Sequence, residues 1–273
     1  MSSILRSAVT GVGGYLPDRT VSNAELAKTV DTSDEWIVER TGIRSRRYAA
    51  EGEATSDLAT RAAERALAAA SRQASDVDLI IVATTTPDLT FPATAALVQR
   101  KLDAPICAAF DIQAVCTGFV YALSVADGFV ARGLSKCALV IGADCMSSLL
   151  DWSDRATCVL FGDGAGAVVL EPVVGQGTTA DRGMLGFALR CDGRRQEMLT
   201  SDGGVSSNGQ VGKLRMQGNQ VFRHAVVNIA EAVAVTGARL LDVSSGVEDA
   251  PGRKNPMKIR DFLAASRDLE TCC

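Results

Sequence analysis

Cys116 is the residue with the strongest chemical position. It follows the apolar stretch CAAFDI by the short turn Gln113-Ala114-Val115, and it opens a second apolar stretch, TGFVYALSVADGFVA. A thiol between a strand and the start of a helix faces unpaired backbone N–H groups and the positive end of the helix dipole. Both favour thiolate over thiol, the form that attacks carbonyl carbon. Thr117 and Gly118 keep the turn small enough for a substrate to come close. Position alone also suits a buried structural cysteine.

Trp36 sits among Asp34, Glu35 and Arg40 in DEWIVER. An indole beside a guanidinium can stack a purine and hold phosphate, or close a small surface core. Arg155, in DWSDRAT, has the same two readings. The glycine motifs carry less. Gly11-Val12-Gly13-Gly14 has Leu16 where a dinucleotide fingerprint needs its third glycine, and no phosphate-binding loop of the GxxxxGK type occurs. Phe161-Gly162-Asp163-Gly164-Ala165-Gly166 reads as a tight turn with close backbone packing.

The elements that must position these residues alternate between strand and helix. Strands are expected at 4–9, 77–84, 107–112, 137–143, 157–161, 165–171 and 184–190. Helices are expected near Asn23, capped by Ser22 and Glu25, and over DEWIVER, capped by Ser33 and stopped by Gly42. Longer helices fit 56–71, 92–102, 116–131 and 219–236. The run VDLIIVAT suits a strand covered on both faces, so an α/β protein with a mainly parallel sheet follows. After Thr236 the apolar period is lost. Residues 237–273 read as a divergent, disordered tail, and the join as a shifted reading frame or an early end.

Composition narrows the function classes. The 273 residues carry a net charge of -4, against the basic footprint of a nucleic-acid binder. Eight cysteines occur without a CxxC pair, and His224 is the single histidine, so no metal site is expected. Free thiols without a secretory leader or a membrane-length apolar run imply a cytoplasmic protein.

Five segments together carry a resemblance. VDTSDEWIVERTGIRSRR, VATTTPDLTFPATA, FDIQAVCTGFVYALSVAD, DRATCVLFGDGAGAVVLE and MQGNQVFRHAVVNIAE resemble, in order and spacing, the β-ketoacyl-[acyl carrier protein] synthase III family. The resemblance covers roughly residues 4–235. It implies a thiolase-like layered αβαβα fold with the second half truncated or divergent. The halves would be 1–171, with the nucleophilic cysteine, and 172–236, the start of the C-terminal half. It implies a homodimeric acyltransferase that starts type II fatty acid synthesis. Cys116 would accept an acyl group from acyl-CoA and condense it with malonyl-[acyl carrier protein], with acyl-CoA as substrate and no cofactor. Thr32, Trp36 and Arg155 match positions that hold the adenine end of CoA, with Arg40 nearby. Phe91 matches a residue reaching into the partner's acyl pocket. Gly218 and Phe222 match the pantetheine tunnel, and Arg223 a carrier-protein contact. The family completes its site with a histidine and an asparagine from PHQAN-like and GNTSAAS-like segments that this sequence lacks. Condensation is therefore expected to be impaired. A non-catalytic remnant or dimer-forming binding protein is the alternative.

Overall fold

The computed structural model describes residues 3–221, 224, 248–250 and 253–254. The strands are β1 (Ile4–Tyr15), β2 (Arg19–Ser22), β3 (Ser45–Tyr48), β4 (Leu79–Ala83), β5 (Ala108–Ile112), β6 (Ala138–Cys145), β7 (Asp163–Gly175), β8 (Leu199–Ser201), β9 (Leu214–Met216), β10 (Glu248–Ala250) and β11 (Arg253–Lys254). The helices are α1 (Asn23–Leu26), α2 (Asp34–Thr41), α3 (Thr55–Ala69), α4 (Thr94–Lys101), α5 (Gly118–Ala131) and α6 (Arg155–Cys158). They fall into two compact units. The first comprises Met1–Val21, Arg46–Ser148 and Gly162–Leu185; the second comprises Ser22–Ser45, Leu149–Phe161 and Gly186–Cys273.

The first unit is built on one sheet with strand order β1-β7-β6-β4-β5. β4 runs parallel to both β5 and β6, while β7 runs antiparallel to β6 and to β1. The sheet is therefore mixed rather than mainly parallel, because β7 returns directly along β6. All five residues of β4 are buried. Side chains alternate across a strand, so Ile80 and Val82 join Leu139 and Ile141 in the core beneath α3 and α4. Leu79, Ile81 and Ala83 join Ala138 and Val140 in a second core against α5. Helices thus cover both faces, which is what an uninterrupted apolar strand requires.

Alanine and glycine set the depth of the α3 contact. A Cβ on Gly11 would lie 2.2 Å from the Ala66 carbonyl oxygen, and one on Gly13 would lie 2.3 Å from that of Ala62. The Gly11–Gly14 segment therefore serves helix-on-sheet packing. The expected turn at 161–166 is instead the start of β7, where Gly164 and Gly166 pair with Asp144 and Gly142. Asp163 is buried there, accepting from the Ala49 N–H at 2.8 Å and the Ser147 hydroxyl at 2.6 Å.

In the second unit, Ser22 caps α1 by accepting from the Glu25 N–H at 3.1 Å. Ser33 caps α2 through the Trp36 N–H at 3.1 Å, and Gly42 ends it at φ +74°. β8 and β9 form an antiparallel pair. No strand forms at 157–161, because Asp154 accepts from the Ala156 N–H and caps the helical turn α6. None forms at 184–190 either, where no partner ladder is present. Within the expected disordered tail, β10 pairs with β11. The rest of that tail, and most of the expected helix at 219–236, lie outside the described residues.

Candidate active site

The path from β5 to α5 displays the cysteine. Val115 lies at φ +47°, a left-handed conformation that a β-branched residue adopts only under constraint. The reversal is closed by Thr117, whose N–H and hydroxyl both donate to the Ala114 carbonyl, at 3.2 and 2.9 Å. Residues 115–117 form a 3₁₀ turn, so α5 begins at Gly118, two residues later than expected. Cys116 therefore stands just ahead of the helix rather than in its first turn. It is exposed. Gly118 is buried, and a Cβ there would meet that of Ala83 at 3.4 Å. Thr117, the cap residue of α5, makes no side-chain cap, which leaves the helix's first N–H groups free of that competitor.

Other thiols are differently placed. Burial pushes the Cys137 thiol up to about 12 and the Cys145 thiol up to about 11, and it also raises Cys107. These groups stay protonated at neutral pH and are poor nucleophiles.

The second unit assembles Trp36 with two arginines. Within α2, the Arg40 guanidinium lies 4.5 Å from the indole ring centre. The Arg155 guanidinium lies 5.0 Å from the same ring. Arg155 is held by donating to the Asp31 carbonyl at 2.9 Å, with the Asp31 carboxylate at 3.6 Å. The Thr32 hydroxyl is buried and has no hydrogen-bond partner among the described residues. An indole with two guanidiniums over its ring can offer stacking and phosphate pairing.

Phe91, in the first unit, is 82% exposed on the loop between β4 and α4. Gly218 is exposed just after β9. Phe222 and Arg223 lie outside the described residues. His224 contacts the Arg195 guanidinium at 3.0 Å. Cys116 and Phe91 thus belong to one unit, and Thr32, Trp36, Arg40, Arg155 and Gly218 to the other.

Sequence reasoning missed several residues. Nothing in a valine announces a left-handed backbone, so Val115 carried no signal. Arg215, which pairs with Asp151 at 2.6 Å and Asp202 at 2.7 Å, carries no signal in the sequence either. Asp111 and Asp144 did carry a signal, since each is a lone carboxylate in an apolar strand and must be anchored there.

A mixed sheet layered between helices, with a cysteine displayed where a strand turns into a helix, defines a thiolase-like α/β protein, and solved structures agree. The 3-oxoacyl-[acyl-carrier-protein] synthase III of Aquifex aeolicus matches with a TM-score of 0.76 at 39% identity, over 97% of this chain and 80% of that one. The Pseudomonas aeruginosa synthase III matches with a TM-score of 0.77 at 36% identity, again over 97% and 80%. The β-ketoacyl-[acyl-carrier-protein] synthase III of Caulobacter vibrioides is 72% identical over 229 residues, covering 84% of this chain and 71% of its own length. The chain belongs to the β-ketoacyl-[acyl-carrier-protein] synthase III family.

The family model for 3-oxoacyl-[acyl-carrier-protein (ACP)] synthase III matches residues 110–193, which include Cys116. A second model, N-(5'phosphoribosyl)anthranilate (PRA) isomerase, matches residues 225–265.

Proposed function

We propose that the chain is a cytoplasmic β-ketoacyl-[acyl carrier protein] synthase III that takes an acyl group from acyl-CoA onto Cys116. The Cys116 thiolate attacks the thioester carbonyl, the carbon–sulfur bond to CoA breaks, and the CoA thiol leaves with a proton. Thr32, Trp36, Arg40 and Arg155 receive the adenine and phosphates, and Gly218 and Phe222 line the pantetheine path. Arg223 meets the acidic carrier protein. In the second step malonyl-[acyl carrier protein] loses carbon dioxide, and the resulting carbanion attacks the acyl-Cys116 carbonyl, returning the thiolate. The observation that carries the reading is the exposed Cys116 on its constrained elbow, inside the segment matching the family model.

The two steps make different demands. Acyl transfer uses the helix end that the chain possesses. Decarboxylation puts charge on the malonyl thioester oxygen, and losing one oxyanion donor costs about 2.7–4 kcal/mol. With neither the family's histidine nor its asparagine segment, condensation is slowed far more than acylation. Homodimerisation is part of the proposal. Among the described residues β5 has one strand neighbour, β4, so its other edge is open. Phe91 and Ile106 stand exposed in the same unit.

Incubation with acetyl-CoA followed by intact-protein mass spectrometry tests the first step. One acetyl adduct is expected, absent from Cys116→Ala. A folded protein that gains no adduct, or an adduct that persists in Cys116→Ala, overturns the reading. Condensation with malonyl-[acyl carrier protein] is expected to be slower than the adduct's formation by orders of magnitude.

A further inference from the structure

The turn that carries Arg155 has little packing of its own. Leu150 before it and Thr157 after it are buried, yet none of residues 151–156 is. Polar contacts must therefore set its shape and its direction. One carboxylate oxygen, Asp151 Oδ1, accepts from the Ser153 N–H at 3.0 Å and the Ser153 hydroxyl at 2.6 Å. The Asp151 carbonyl accepts from the Asp154 N–H at 3.0 Å. These local bonds curl the turn but do not aim it. The other oxygen, Asp151 Oδ2, takes a bond from outside, donated by Arg215 Nη1 of β9 at 2.6 Å. Arg215 is itself aimed, with its Nε and Nη2 both 2.7 Å from Asp202 Oδ2. Asp202 Oδ1 in turn accepts from the Lys213 N–H at 2.6 Å, and the neighbouring Leu214 is buried, which roots this end of β9.

At the far end of the turn, Asp154 caps α6 and Arg155 opens it. The Arg155 guanidinium lies 5.0 Å from the Trp36 ring centre and donates to the Asp31 carbonyl at 2.9 Å. A polar path thus runs from Asp202 through Arg215 and Asp151 to Arg155 and the indole, all within the second unit. The planar fork of an arginine can reach two carboxylates at once, which an ammonium does less well. An ion pair this exposed adds modestly to global stability. Its main effect falls on where an unpacked turn points. We propose that Arg215, acting through Asp151, is a positioning residue that keeps Arg155 over Trp36 and so favours acyl thioesters carrying a nucleotide over bare pantetheine thioesters. The proposal rests on the reading of Trp36 and Arg155 as the nucleotide site.

The test compares Cys116 acylation by acetyl-CoA and by acetyl-pantetheine, followed by intact-protein mass spectrometry across substrate concentration. The full chain is used with Arg215→Met, Asp151→Asn, their double variant and Arg155→Ala. Arg215→Met is expected to raise the half-saturating acetyl-CoA concentration about threefold to fivefold, with the maximal rate and the acetyl-pantetheine reaction little changed. Asp151→Asn should do the same, and the double variant should do no more than either alone. Equal losses with both thioesters would mark a merely structural role and overturn the proposal, as would effects of the two single variants that add. If Arg155→Ala shifts the preference and Arg215→Met does not, the positioning claim alone fails. If Arg155→Ala leaves the preference unchanged, the nucleotide reading of Arg155 fails and takes the proposal with it.

Discussion

Replacing Trp36 with alanine should weaken CoA binding by a predictable margin. The indole is half-buried, with Arg40 at 4.5 Å and Arg155 at 5.0 Å from its ring centre. Alanine substitution under a stacked base typically costs about 1–3 kcal/mol. A base arriving on this ring must displace a guanidinium whose own attraction to the indole is about 0.5–1 kcal/mol at an exposed site. The midpoints, about 2 and about 0.75 kcal/mol, leave about 1.25 kcal/mol, roughly an eightfold rise in Kd. Isothermal titration of CoA into Cys116→Ala and Cys116→Ala/Trp36→Ala reads binding without turnover. Arg155→Lys provides the companion measurement. It keeps the charge but loses the planar fork that donates to the Asp31 carbonyl. It should weaken binding too, and its loss should persist at high salt better than that of an arginine acting by charge alone. Equal affinity of the two proteins within twofold would refute the stacking argument. So would an effect of Trp36→Ala on thermal stability large enough to account for the lost binding.

Gly13→Ala should destabilise the protein by about 3 kcal/mol, since its Cβ would lie 2.3 Å from backbone atoms of Ala62 and Ala66; urea unfolding measures it. In native alkylation at mild alkaline pH, Cys116 and Cys191 should react while Cys137, Cys145 and Cys158 do not, because the first two are exposed and the others buried; peptide mapping reads the sites. Asp151 has its carboxyl held down at about 2 by the Ser153 hydroxyl first and then by Arg215. Its folded value lies below the unfolded one, about 3.9, so its stabilisation is present above that value and is lost as pH falls towards 2. Asp151→Asn should therefore be less stable than the parent at pH 6, with the gap in denaturation midpoint closing between about pH 4 and pH 2.

Much of the arrangement was legible because local and global demands agreed. LIIVA could only be a strand covered on both sides, and it is. Ser33 and Gly42 bracket α2 as their cap chemistry dictates. The strand–turn–helix around Cys116 followed from two apolar runs separated by small residues. The failures came where partners distant in sequence decide. TCVLF is apolar and β-branched, yet Asp154 draws its start into a helical turn. The run at 184–190 starts with the Met184 N–H donating to the Ser7 carbonyl of β1 at 2.7 Å, but no ladder follows, and Leu185 and Leu189 are left exposed. FGDGAG has turn composition, but Asp163 is bonded to Ala49 and Ser147, and that anchorage sets β7 in register against β6. The stacking of Arg155 on Trp36 joins residues more than a hundred positions apart, which no spacing rule encodes.

The two proposed half-reactions separate along the same line as the sequence. Acylation needs a displayed thiol, a helix end and a place for the nucleotide, and the residues for all three occur before residue 160. Condensation needs, in addition, donors aimed at a second thioester oxygen. Oxyanion donors act only if fixed before the charge forms, so a lone histidine engaged with Arg195 is no substitute. α5 adds to the argument. Its sequence is apolar almost all round, and a helix of that kind is stable only when covered on more than one side. One side packs on the sheet through Ala122, Ala126 and Val130, while Val120 and Val125 are 43% and 36% exposed. The segment that the family model matches, residues 110–193, thus holds both the displayed cysteine and the helix that follows it.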